Sequence, residues 1–211
     1  MSPSGAGPVE IDTPHGPARV TLHRARGAAT ALLLLGHGAG GGIGAPDLVV
    51  ATGAATALGV HVGLVEQPYR VAGRRAPAPA RQLDAAWLAV VAAVRAGRLG
   101  VDKRGRLPLL TGGRSSGARV ACRTSAEVGA SGVLCLAFPV HPPGKPEKDR
   151  LPELDGVEAP VLVVQGRSDP FGCPDPATHR DVVVLNGDHG LKSDPDGIRD
   201  AVTTWLTGLL T

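Results

Sequence analysis

The chain has 211 residues, a hydrophobic fraction of 43%, only two Phe, two Trp and one Tyr, and a formal net charge of +3. That length suits one domain around one hydrophobic core, and the scarcity of aromatics calls for aliphatic packing, as between helices and a parallel sheet. The basic excess is scattered Arg with little aromatic interleaving, which argues against nucleic acid as a partner. No apolar run approaches the ~18 residues of a membrane span.

The opening residues MSPSGAGPVEIDTPHG lack the charged and apolar regions of a secretory signal. Residues 1–16 are expected to form a flexible N-terminal segment, and 17–211 a single domain. Cys122, Cys135 and Cys173 form no C-x-x-C pair and read as free thiols of a reducing compartment, so a cytoplasmic location is expected.

Apolar runs bounded by Gly and Pro predict strands over 18–23, 31–35, 60–65, 107–111, 132–137, 160–165 and 181–185. ALLLL, GVLCLAF, PVLVVQ and DVVVL are near-continuous aliphatic runs, the pattern of strands buried on both faces. Helical periodicity covers 47–58, 80–96, 116–128 and 196–210. The alternation predicts an α/β fold, a mostly parallel central sheet with helices on both faces. Two Pro-rich basic loops, 71–80 and 139–150, follow strands and should lie at the carboxyl edge, where open α/β sheets hold their ligands.

The most specific stretch is LPLLTGGRSSGARVACRTSAE, residues 107–127, an apolar strand turning through Gly and Ser into an apolar-periodic helix. Gly113-Arg114-Ser115-Ser116-Gly117 is G-x-S-x-G in the strand-turn-helix setting of a nucleophile elbow. The residues two before and two after the nucleophile must be small for strand and helix to approach. Ser115 satisfies this rule, whereas Ser116 would be flanked by Arg114 and Ala118.

A serine hydroxyl needs a base and a group to orient that base. VLVVQGRSDPFG puts Asp169 just past one strand, and VVVLNGDHGLK puts His189 just past the next. Ser115, Asp169 and His189 therefore follow the Ser, Asp, His chain order. Asp188 competes for the acid role and His141 is a reserve base. Metal binding is a rival use for Asp188, His189 and Asp194, but no H-E-x-x-H or Cys/His spacing appears, and neither a metal nor another cofactor is expected.

The run LLLLGHGAGGG, residues 32–42, fits G-x-G-x-x-G at Gly36, Gly38 and Gly41. A dinucleotide loop would pass straight into a helix and find an acid about 20 residues on. Here Ile43-Gly44-Ala45-Pro46 delays the helix, and Glu66 follows Gly36 by 30 positions. The better reading is an oxyanion loop, with donors from the N–H groups of Ala39 or Gly40 and of Ser116. His37 then braces the loop.

Together, HGAGGG, GGRSSGAR, QGRSDPFG and GDHG resemble the α/β-hydrolase superfamily, and EQPYRVAGRR and FPVHPPGKPEK its small lid-less group, distantly similar to dienelactone hydrolases. The resemblance spans roughly residues 17–211 and implies an ester-type hydrolase. Residues 138–156 leave no room for a helical cap domain, so an open site and a small soluble ester or thioester are expected. Arg70, Arg74, Arg75, Arg114, Lys145, Lys148 and Arg167 either attract an anionic substrate or form a solvated rim. Tyr69, Arg70, Arg114 and Phe171 are the candidate substrate-binding residues. Two alternatives share this sequence pattern: a catalytically silent interaction module, and an acyltransferase or thioesterase working through the same three residues.

Overall fold

The computed structural model describes residues 7–102 and 105–211. In chain order the elements are β1 (Val9–Ile11), β2 (Ala18–His23), β3 (Ala31–Gly36), α1 (Pro46–Ala57), β4 (Val60–Glu66), α2 (Pro68–Val71), α3 (Ala80–Arg95), β5 (Leu109–Arg114), α4 (Ser116–Thr124), β6 (Gly132–Leu136), α5 (Leu151–Asp155), β7 (Val161–Gly166), β8 (Arg180–Leu185) and α6 (Pro195–Leu210). The strands form one sheet in the order β1-β2-β4-β3-β5-β6-β7-β8, and only β2 runs against its neighbours.

Alternation along β3 explains why its sequence is apolar throughout. Leu33 and Leu35 face a layer made by α1 and α6, with Leu48, Ala55, Val202, Trp205 and Leu206. Leu32 and Leu34 face the opposite layer, where Trp87, Val90 and Val94 of α3 pack. Helix α3 buries Leu83, Ala86, Trp87, Val90, Val91 and Val94, a stripe at helical spacing. The two tryptophans thus sit on opposite faces of the sheet, Trp87 fully buried and Trp205 9% exposed.

Helix starts follow local chemistry. Pro195 opens α6 and the Asp194 carboxylate accepts the Gly197 N–H at 2.8 Å. Four charged side chains tie α3, α4 and α5 together: Arg123 binds Asp84 at 2.6 Å and Glu153 at 3.0 Å, and Arg119 binds Glu153 at 2.5 Å. Cys122 and Cys135 are buried free thiols with their Sγ atoms in hydrogen-bonding contact at 3.5 Å, and Cys173 is an exposed free thiol.

The expected mostly parallel sheet covered on both faces is present. A flexible segment over residues 1–16 does not extend through Val9–Ile11, which pair with β2 as a strand and bury Ile11 in the core. Residues 1–6 of that segment lie outside the described residues. Between β6 and α5, residues 137–150 form a loop, and among the described residues no cap domain interrupts the sheet. Among the described residues, no helix is long and apolar enough to cross a membrane.

Candidate active site

Strand order fixes where a site can form. From β3 the chain crosses to β4 on one side, while β5 lies on the other, so the loops leaving β3 and β5 diverge at a switch point. Gly36 and Gly113 are paired at the carboxyl ends of these strands. The glycine loop and the Ser115 turn are therefore neighbours.

At the end of β5 the chain reverses into α4 within one residue. Ser115 adopts φ 51° and ψ −107°, a sparsely populated conformation for a residue with a side chain. Its N–H donates to the Leu136 carbonyl at 2.9 Å, which ties the turn to β6. The flanking glycines are required sterically. A Cβ on Gly113 would stand 2.4 Å from the Gly36 carbonyl oxygen, and one on Gly117 would stand 2.4 Å from the same atom.

His189 reaches Ser115 from the loop after β8, and its Nε2 lies 2.9 Å from Ser115 Oγ. Its Nδ1 lies 2.8 Å from Asp169 Oδ2. A carboxylate oxygen only accepts, so Nδ1 carries the proton and donates to Asp169, leaving the Nε2 lone pair for the serine hydroxyl. Asp169 is fully buried, whereas the His189 side chain is 17% exposed. The carboxylate is held on both oxygens: Oδ1 accepts the Phe171 N–H at 2.8 Å, and Oδ2 also accepts the Gln165 amide at 2.7 Å. Three acceptors surround the Gln165 Nε2, since it also donates to the Gly172 and Phe138 carbonyls, and this fixes the amide's orientation. The Phe171 ring lies over the imidazole, with centroids 4.2 Å apart.

The rival candidates Asp188, Asp194 and His141 have different engagements. Asp188 turns back to accept the Gly190 N–H at 2.8 Å, and Asp194 caps α6. The His141 Nδ1 bonds the Pro142 carbonyl oxygen at 2.9 Å.

The glycine loop is braced from beneath. His37 is buried; its Nδ1 donates to the Gly38 carbonyl at 2.8 Å and its Nε2 accepts the Gln67 N–H at 3.1 Å. Burial holds its pKa below the ordinary histidine value, outweighing the opposing effect of the Gly38 hydrogen bond. Gly38 lies against the Ser115 turn: a methyl group there would come 3.7 Å from Ser115 Cβ. Ala39 and Gly40 follow on this loop, and Ser116 opens α4, where a first-turn N–H has no intrahelical partner.

The candidate substrate residues divide. Tyr69 is only 6% exposed and its hydroxyl donates to the Ala39 carbonyl at 2.9 Å, making it a brace of the loop. Arg70 donates to the Arg74 carbonyl at 3.2 Å on an exposed turn. Arg114 departs from a rim position: its Nε pairs with the fully buried Asp47 at 2.8 Å, and its Nη2 donates to the His189 carbonyl at 2.9 Å. Sequence reasoning passed over Asp47 and the Arg114 link because the partners are distant in the chain, and over Gln165 although it stands only four residues before Asp169, because it ends an apolar strand run without a motif of its own.

A family profile described as an alpha/beta hydrolase domain matches residues 29–197. No functionally curated protein matches the sequence significantly. Among solved structures, a lid-less α/β serine hydrolase from Xanthomonas campestris superposes with a TM-score of 0.72 at 19% identity, covering 99% of this chain and 96% of its own. Est1E from Butyrivibrio proteoclasticus gives 0.75 at 14% identity, covering 97% of this chain and 99% of its own. A dienelactone hydrolase from Anabaena variabilis gives 0.71 at 17% identity, covering 99% and 97%. At these identities the likeness is one of fold.

Proposed function

Since the chain belongs to the α/β-hydrolase family, we propose that it is a serine hydrolase that cleaves a small ester or thioester through an acyl-enzyme on Ser115. The observation that carries this reading is the hydrogen-bonded chain Ser115–His189–Asp169, at 2.9 and 2.8 Å. A binding module has no need of such a chain on a strained turn.

The chemistry proceeds in two halves. His189 Nε2 takes the Ser115 proton as Oγ attacks the acyl carbon, and the resulting imidazolium returns that proton to the leaving alcohol or thiol. Water then attacks the acyl-enzyme by the same route, releasing the acid and restoring Ser115. Asp169 holds the imidazole tautomer and balances its transient charge. The N–H groups of Ala39 or Gly40 and of Ser116 stabilise the oxyanion, each worth roughly 10²- to 10³-fold in rate. The absence of a cap domain favours small soluble substrates, and Arg70, Arg74 and Arg75 near the carboxyl edge favour an anionic one.

Intact-mass labelling with a fluorophosphonate tests the reading. Wild type is expected to gain one probe, and folded Ser115→Ala and His189→Ala variants none; turnover of a short acyl ester should fall about a million-fold in Ser115→Ala. Unlabelled, well-folded wild type would overturn the reading in favour of a silent module.

A further inference from the structure

Arg114 directly precedes the nucleophile, yet its side chain turns away from the open edge, with 18% of it exposed. Its three nitrogens have three different neighbours. Nε pairs with Asp47 Oδ2 at 2.8 Å, at the start of α1. Nη2 donates to the His189 backbone carbonyl at 2.9 Å. Nη1 fills the space beside Gly38, where an added Cβ would stand 2.9 Å from it. One planar guanidinium thus touches the loop that carries the base, the loop that follows β3 and a helix terminus. The backbone of Arg114 is joined directly to that of Ser115.

We propose that Arg114 is a positioning residue: it sets the His189 loop and the Gly38 loop against Ser115 and does not contact substrate. This rests on the serine hydrolase reading above. The His189 carbonyl belongs to the residue whose ring meets Ser115, so a shift of this loop moves the imidazole directly. Asp47 has no exposed side-chain surface, and its Oδ1 accepts the Leu48 N–H at 2.9 Å. It is therefore a fixed counter-charge that anchors the fork from behind. A lysine supplies the charge from one point and cannot span Asp47, Gly38 and the His189 carbonyl together.

The test separates fold support from positioning. Arg114→Met alone leaves the buried Asp47 charge unpaired, so it should lose both stability and reactivity. Adding Asp47→Asn removes that unpaired charge without restoring any contact to His189 or Gly38. Thermal unfolding and saturation kinetics of fluorophosphonate labelling are measured on wild type, Arg114→Lys, Arg114→Met and Asp47→Asn/Arg114→Met. In the double variant we expect much of the melting temperature to return, the maximal labelling rate to stay about 10²-fold low, and the half-saturating probe concentration to be unchanged. Arg114→Lys should stay folded with its maximal rate about 10-fold low.

Wild-type labelling in the stable double variant, or in Arg114→Lys should the Met variants not fold, would overturn the proposal. So would a raised half-saturating concentration at unchanged maximal rate, the signature of a substrate contact. Wild type that does not label at all would overturn the hydrolase reading, and this inference with it, before any variant is compared.

Discussion

Replacing Gly117 by Ala probes the seat of the Ser115 turn with one methyl group. The added Cβ would lie 2.4 Å from the Gly36 oxygen, 2.5 Å from the Gly36 carbonyl carbon and 2.9 Å from the His37 oxygen. All three are backbone atoms of the β3 edge, so none can rotate aside. Ordinary contact begins at 3.4 Å, and α4 must therefore recede from β3 by about 1 Å in an interior packed too densely to absorb it locally. Overpacking of this kind costs about 1–3 kcal/mol, a fall of roughly 2–4 °C in Tm per kcal/mol for a domain this size. Ser115 precedes α4 and moves with it, and a 1 Å displacement of a reacting group slows chemistry roughly 10²-fold. The assay pairs thermal unfolding with the rate of fluorophosphonate labelling. Gly53→Ala serves as the control, because a Cβ there meets nothing within 4 Å in mid-α1; it should gain about 0.5–1 kcal/mol and label normally. A Gly117→Ala protein with wild-type Tm and labelling would refute the steric account of the turn.

Gln165→Leu removes the amide that holds Asp169 Oδ2 and leaves the Gly172 and Phe138 carbonyls without their donor. Urea unfolding should show a loss of about 1–3 kcal/mol, and labelling should slow by roughly 10²-fold; no change in either would remove Gln165 from the orienting set. A pH dependence of stability follows from His37 and His61, whose ring nitrogens accept the Gln67 and Ala25 N–H groups and whose pKa values are lowered chiefly by burial. As pH falls through about 6.5 the unfolded chain takes up protons that the native state refuses. Stability should therefore be complete above that pH and decline towards pH 5, with a shallower slope in His37→Gln; an unchanged slope in that variant would show that His37 does not contribute. The buried Asp47, whose pKa is raised mainly by burial, acts with opposite sign in the carboxylate range.

Elements with a long apolar signature were legible in the sequence: β3, β6 and β7 from their aliphatic runs, and α3 and α6 from their spacing. Three residues of β1 fall between Pro8 and a Thr-Pro pair and are too few to show alternation. Helices α2 and α5, four and five residues long, carry too little periodicity to separate from the Pro-rich loops around them. The helix read over 116–128 stops at Thr124 in the structure, and its last residues form turns that end at Gly129 with φ 61°. At the candidate site, Ser115, Asp169 and His189, which the fold brings within hydrogen-bonding distance, could be singled out in the sequence because each follows an apolar strand whose end is visible. Arg114 was read as a substrate-binding or solvated rim residue because basic residues in loops usually face water. Its partners Asp47 and His189 are 67 and 75 positions away, and nothing local distinguishes a buried arginine from an exposed one.

The placement of the two tryptophans gives the molecule a built-in pair of optical reporters. Trp87 belongs to the α3 layer, and its indole N–H has no hydrogen-bond partner among the described residues; Trp205 belongs to the α1 and α6 layer on the other side of the sheet. With only one tyrosine in the chain, emission excited at the indole band comes from these two rings. Trp87→Phe and Trp205→Phe proteins would therefore each report a single flank, and coincident denaturation curves from the two would mean that the layers bracketing the Ser115 turn dissolve as one cooperative unit.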